Sequence, residues 1–181
     1  MRKALITCVA ALAALTSIGG ATQVPRLSFE EVVRQADEIV TGTVVRSWTA
    51  WGPSHEFLWT HYEVRVESVA KGHAAASVIV SEPGGVLDGR GMLVTGALQY
   101  GIGERVVLFL QQTPVGYKRT VGWQQGKYTV SGDGLVHGAS GEAHLMDATA
   151  SAVSATRVDG GTLARMQTRI AALLRRGAVA Q

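Results

Sequence analysis

Cysteine is nearly absent from this sequence. The single one, Cys8, sits inside an apolar stretch at residues 4–18, behind Arg2 and Lys3 and ahead of the small residues Gly19, Gly20 and Ala21. A basic start, an apolar middle and a small-residue exit make up a secretory signal peptide, and cleavage is expected after Ala21. Cys8 lies within the apolar run and not at its end, which excludes a lipoprotein anchor. The mature chain would then have about 160 residues, enough for one domain with a core of its own. It would hold no thiol, so the disulfide bracing common in secreted domains drops out, and cysteine chemistry with it. Long apolar runs are scarce as well. Residues 4–18 fall short of the roughly 20 that a spanning helix needs, and no later stretch is longer. The mature protein is therefore expected to be soluble, and secreted or periplasmic.

Concentrated positive charge is missing from the body of the chain. The whole sequence carries 17 Lys and Arg against 14 Asp and Glu, a net +3. Arg2 and Lys3 would leave with the signal. Residues 22–156 then hold 10 basic and 13 acidic residues, net −3, whereas five arginines against Asp159 make the tail from Arg157 onward net +4. The body has no basic stripe of the kind that binds nucleic acid, so nucleic acid is not an expected partner.

The motifs of common chemistry are missing too. The five histidines, His55, His61, His73, His137 and His144, form no HExxH or other tight ligand spacing, and they are read as solvated residues at strand ends. No metal site and no cofactor is expected from them. There is no G-x-S-x-G elbow, and Ser140 in "GASGE" lacks the strand-to-helix setting that the elbow requires. "EPGGVLDGRG" is glycine-rich but lacks the Lys-Ser/Thr ending of a phosphate-binding loop. Glu63 and Glu67 share a strand face about 13 Å apart, beyond the carboxylate separation that sugar hydrolysis uses. No catalytic residue is assigned, and an enzyme is not the expected reading.

What is present is a succession of strand signals. In "LSFEEVVRQADEIV", Ser28 and Glu31 have capping-box spacing and Phe29, Val32, Val33 and Ala36 recur at helical intervals, which predicts one short helix. β-branched residues then predict a strand from about Ile39 to Trp48. In "HYEVRVESVAKG", Tyr62, Val64 and Val66 alternate with Glu63, Arg65 and Glu67, a strand with one buried face, ended by Lys71 and Gly72. "SVIVSEPGG" gives another short strand, Asp88-Gly89 a tight hairpin, and the five apolar residues from Val106 to Leu110 a strand covered on both faces. Strands joined by short turns make a meander, and closing it into a small OB-like β-barrel removes its exposed edges.

Beyond the barrel, residues 138–160 are rich in Ala, Ser, Thr and Gly. They read as an extended excursion or linker, with one brief strand near His144 to Met146. Thr162 is an N-cap for a last helix, whose seam of Leu163, Met166, Ile170 and Leu173 opposes Arg165, Arg169 and Arg176. The layout expected is a signal peptide at 1–21, a barrel domain at 22–137, the linker, and an amphipathic helix at 161–177 stopped by Gly177. The helix should dock on the barrel, arginines outward, in preference to lying on anionic lipid.

Ala36-Asp37 at a helix end, Tyr62-Glu63-Val64 in a following strand, and Lys71-Gly72 closing that strand resemble the OB-fold barrel of netrin-like modules, the group that includes the tissue inhibitors of metalloproteases. The resemblance covers about half of the mature chain. It implies an OB-like barrel with a short N-terminal helix and, by extension, inhibition or escort of a secreted protease. In those inhibitors the N-terminal cysteine of the mature chain engages the zinc. This chain has no mature cysteine, so no inhibitory residue carries over. The strand order and a "GKY" hairpin are also similar to those of secreted bacterial proteins.

The aromatics Trp48, Trp51, Phe57 and Trp59 gather in "SWTAWGPSHEFLW". Rings on a loop rim pack onto sugars, peptides or apolar partners; the alternative is that they fold back and plug the barrel mouth. In "GWQQGKYTV", Tyr128 and Val130 alternate with Lys127 and Thr129, so Tyr128 is expected to point inward and Gln124-Gln125-Gly126 to form a bend. Trp123, Gln124 and Lys127 would be the polar contributors of any groove there. The function expected is a non-enzymatic binding module for a protein or peptide partner at the bacterial envelope or exterior. Inhibition or escort of a secreted protease comes next, and an envelope enzyme with an unrecognised site third.

Overall fold

Helix α1 (Phe29–Gln35) starts where Ser28 and Glu31 meet. Ser28 Oγ accepts the amide hydrogen of Glu31 at 3.2 Å, and the Glu31 carboxylate accepts from the Ser28 amide at 2.8 Å. Each side chain thus satisfies a backbone donor that has no partner within the helix. The backbone is extended again by Ala36, and a long strand follows at once. The chain is seen in a computed structural model that describes residues 24–73, 75–138, 145–146 and 161–179; residues 1–23, where the signal peptide is expected, and most of residues 139–160, His144 included, lie outside the described residues.

The described chain opens with β1 (Val24–Pro25), which runs parallel to β11 (Leu145–Met146). The barrel itself is built from β2 (Glu38–Trp51), β3 (Leu58–Lys71) and β4 (Ser77–Pro83), each antiparallel to the next. β7 (Arg105–Gln112) lies antiparallel to the start of β2. β8 (Lys118–Thr120) then pairs with β7 antiparallel and with β4 in parallel, at Val80↔Lys118. The ring β2-β3-β4-β8-β7 is therefore closed, in an OB-like order. Register shifts in β2 at Ile39/Val40, Thr41/Gly42 and Val44/Arg46 bend this long strand around the ring. At Gly42 a side chain would drive into the Arg65 carbonyl, so close approach of the two backbones requires glycine there.

A hairpin of β5 (Gly85–Leu87) and β6 (Arg90–Met92) stands between β4 and β7, with Asp88 and Gly89 both at positive φ in its turn, as the Asp-Gly signal predicts. β9 (Lys127–Val130) pairs with the part of β7 that β8 leaves free, and β10 (Leu135–Gly138) and β12 (Gly161–Thr162) extend the sheet from it. Helix α2 (Leu163–Val179) follows, its first turn held by the Arg165 amide donating to Thr162 Oγ1. It runs past Gly177, which the sequence marks as its stop; open space surrounds that glycine.

β7 is buried on both faces, as its apolar run predicts, and each face feeds a different core. Val106, Leu108 and Leu110 join Val40, Val44, Tyr62, Val64, Val78, Val80 and Tyr100 inside the ring. Val107 and Phe109 point the other way, to Phe29, Val32, Val33, Ile39, Met166 and Ile170. α2 thus docks against α1 and the outer barrel wall by its apolar seam, with Arg165, Arg169 and Arg176 exposed. Arg169 lies over the Phe29 ring at 4.5 Å.

Residues far apart in sequence lock the corner between α1 and the barrel. Lys71 Nζ donates to the carbonyls of Val33 and Arg34, both at 3.0 Å, and so caps the C-terminal end of α1. Gly72, at φ 77°, passes so close to the Asp37 carbonyl that no side chain fits. Asp37 Oδ2 in turn accepts the Gln112 amide at 2.8 Å.

Candidate functional site

The wall formed by β2, β3 and β4 presents its outer side chains in rows that follow from the register. Arg46, Glu63 and Ile79 form one row, Trp48, His61 and Ser81 the next, and Ala50, Trp59 and Pro83 the third. His61 is the centre. Its Nδ1 lies 2.7 Å from Ser81 Oγ, Trp48 stacks on it with ring centroids 5.3 Å apart, and Tyr117 meets it edge-on at 5.2 Å. Tyr117 also packs edge-on against Trp59 at 4.9 Å, and the Arg46 guanidinium lies 4.5 Å over Trp48. Arg46 is held on its other side by Glu63 at 3.2 Å.

The position of His61 corrects the expectation of solvated strand-end histidines. It is flanked by paired strands on both sides, opposite Trp48 and Ser81, and is 7% exposed. Burial pushes its pKa below the usual imidazole range, since the charged form loses water. Ser81 is 1% exposed, so its hydroxyl is a fixed partner of the ring and out of reach as a nucleophile. Trp48, Trp59 and Tyr117 are half-buried and form the surface above this pair.

The four aromatics that the sequence groups are divided by the alternation of the strands. Trp48 and Trp59 share the outer wall. Trp51 pairs in register with Leu58, which points into the barrel, and so belongs to the opposite side of the ribbon. Phe57 is 52% exposed in the hairpin loop at residues 52–57. Among the described residues no ring contact joins Trp51 or Phe57 to the other two. Tyr117 and His61, which complete the group, come from a turn and from a strand position read as solvent-facing.

Residues 122–130 take another course. Trp123–Gly126 forms a 3₁₀ turn, in keeping with the expected bend. Trp123 stands under the Arg119 guanidinium at 4.4 Å, and Gln124 is buried. Lys127, expected on the open face of β9, is only 6% exposed, so that face is buried as well. Its Nζ reaches Gln99 O at 2.8 Å and Glu104 at 2.9 Å and lies 4.3 Å from the Tyr100 ring. Tyr128 points into a core, as expected, and packs against Phe29 and Phe109 on the helix side. Both faces of β9 are covered, so alternation could not tell them apart.

A second charged pair lies on the inner side of the same wall. Glu82, 1% exposed on β4, meets Arg119 of β8 at 3.1 Å and the Tyr100 hydroxyl at 3.4 Å. Burial raises the Glu82 pKa, with Arg119 pulling against it; burial also holds the Tyr100 hydroxyl well above the ordinary phenol range. For Glu104 burial works in the same direction, but the Thr129 hydroxyl, the Lys127 ammonium and the Gly101 amide together hold its pKa below the usual value. No group of three or more His, Cys, Asp or Glu side chains able to hold a metal is present among the described residues. No family model, curated protein or solved structure matches this chain.

Proposed function

We propose that this protein is an exported, non-enzymatic binding module whose outer wall of β2, β3 and β4 receives a peptide or protein segment. The observation that carries this reading is the gathering of Trp48, Trp59 and Tyr117 around His61, outside both apolar cores. Half-exposed rings of this kind offer large apolar area with little side-chain freedom to lose, which suits them to partner contact. OB-like barrels take ligands on the second and third ring strands and on the loops joining strands one to two and four to five. Here those are β3, β4, residues 52–57 and residues 113–117, and Tyr117 stands in the last. Fold analogy is a weak warrant on its own, and it is the aromatic wall that gives it content.

The net negative body favours a peptide over nucleic acid, and export rests on the signal pattern of residues 1–21. The narrower proposal, that the partner is a secreted protease, draws support from the resemblance to netrin-like modules, whose matching residues Ala36-Asp37 and Lys71-Gly72 meet at one corner. A displayed random-peptide library selected on the immobilised protein tests the broader reading. Enriched peptides should lose affinity by about tenfold or more on Trp48→Ala or Trp59→Ala, with melting curves that stay within a few degrees. If the selected peptides bind both variants as well as the parent, the wall is packing and not a binding surface.

A further inference from the structure

The wall that carries the aromatic rows has an inner side, and that side lines a cavity. Thr60, Tyr62 and Glu82 face the end of the barrel, where the β5–β6 hairpin and residues 93–99 border an open-mouthed cavity of about 320 Å³. That volume is at the lower limit of small-molecule pockets. The enclosing walls are mostly apolar, with Met92, Val94 and Leu98 among them. Leu93, which also lines the cavity, is 92% exposed, and Val86 71% exposed, so the rim presents apolar side chains to water with nothing among the described residues to cover them.

Two features of the cavity define what it would take. Glu82 is the one ionisable carboxylate lining it, and it accepts from Arg119 at 3.1 Å, from the Tyr100 hydroxyl at 3.4 Å and from the Leu98 amide. A carboxylate has room for about four acceptor contacts, and three are taken, so capacity remains for one donor from the cavity. The surrounding charge is already balanced. Glu82 is neutralised by Arg119, and the neighbouring Lys127 by Glu104. An ammonium or carboxylate entering this space would give up water to apolar walls without a free counter-charge to offset the loss.

We infer that the barrel mouth is a binding site for a compact, uncharged, mainly apolar molecule that donates one hydrogen bond, from a hydroxyl or an amide, to Glu82. The site is separate from the outer aromatic wall and stands whether or not that wall binds a peptide.

Benzyl alcohol, benzyl methyl ether and benzylamine probe it as a series, because they share a ring and differ in donor and charge. Titrated into the ¹⁵N-labelled protein, benzyl alcohol should shift the amides of Gly84, Gly85 and Leu98 saturably. The ether lacks the donor and should bind about five- to tenfold more weakly, the worth of one hydrogen bond, and benzylamine more weakly still. Ala97→Leu, which fills the cavity and leaves the Glu82–Arg119 pair in place, should abolish the shifts without lowering the melting temperature. Equal binding of alcohol and ether overturns the role of Glu82, and preferred binding of benzylamine overturns the charge argument. Unchanged binding by Ala97→Leu, or shifts spread over the surface, overturns the site itself.

Discussion

The space inside the ring and the space between the ring and its helices are filled from the same strand, but with different material. Toward the helices, β7 supplies Val107 and Phe109 to a core of Phe, Val, Ile and Met side chains. Toward the ring it supplies Val106, Leu108 and Leu110 to a core edged by Lys127, Glu104, Glu82, Arg119 and Tyr100. The outer core is an apolar seal, with Tyr128 at its edge. The inner one gives up apolar volume at one end to a hydrogen-bonded network and a cavity. Polar groups of this kind have to be satisfied to be tolerated, and their presence where a plug of valines would fit is what the proposed site at the barrel mouth draws on.

The comparison breaks if damage to the seal empties the cavity. Phe109→Ala, at a site with no exposure, should cost about 3–5 kcal/mol by urea unfolding, the largest effect expected here. Well below its melting temperature the variant should still bind benzyl alcohol with parental affinity. Lost binding would make the two cores one cooperative unit. The inner network gives the next largest effect. Lys127→Met keeps the length of the stem but removes the counter-ion of Glu104, and should cost about 1.5–3 kcal/mol. A variant more stable than the parent would mean that the network is an expendable substitute for apolar packing.

The smallest effect concerns His61, which belongs to neither core. Its pKa is depressed in the folded chain, so the unfolded chain binds more protons between the folded value and the unfolded one near about 6.5. The stability that the neutral ring contributes is complete above about pH 6.5 and declines as the pH falls toward the folded pKa. His61→Gln should remove that component. Unfolding midpoints of parent and variant, measured from pH 8 to pH 5, should therefore converge on acidification. Parallel curves would show that His61 does not couple folding to protons.

Much of the frame is legible in the sequence, because it rests on local rules. The Ser28–Glu31 box, the alternation from Tyr62 to Val66, the apolar run of β7, the Asp88-Gly89 turn and the seam of α2 all involve residues within a few positions of one another. The site was harder to read, for two reasons. His61 and Ser81 are 20 residues apart and meet only through the register of β3 with β4, and register is invisible to a pattern along one strand. Lys127 and Glu82 were hidden by context. β9 is covered on both faces, so its polar residue can be the inward one, and Glu82 stands next to Pro83-Gly84-Gly85, where the eye sees a turn. Trp51 parts from Trp48 because an odd offset along a strand, here three positions, puts two side chains on opposite faces.

Four of the five joints of the ring run over several paired residues, but β4 and β8 meet at the single register pair Val80↔Lys118. Across that joint the Glu82–Arg119 contact acts as a clasp between side chains where backbone pairing is thinnest. The barrel therefore has a preferred place to breathe. Amide exchange should appear there first among the barrel strands, since opening this joint sacrifices the fewest hydrogen bonds. A molecule bound at Glu82 would sit beside the clasp, so occupancy of the cavity and the rate at which the ring unzips become two readings of the same latch.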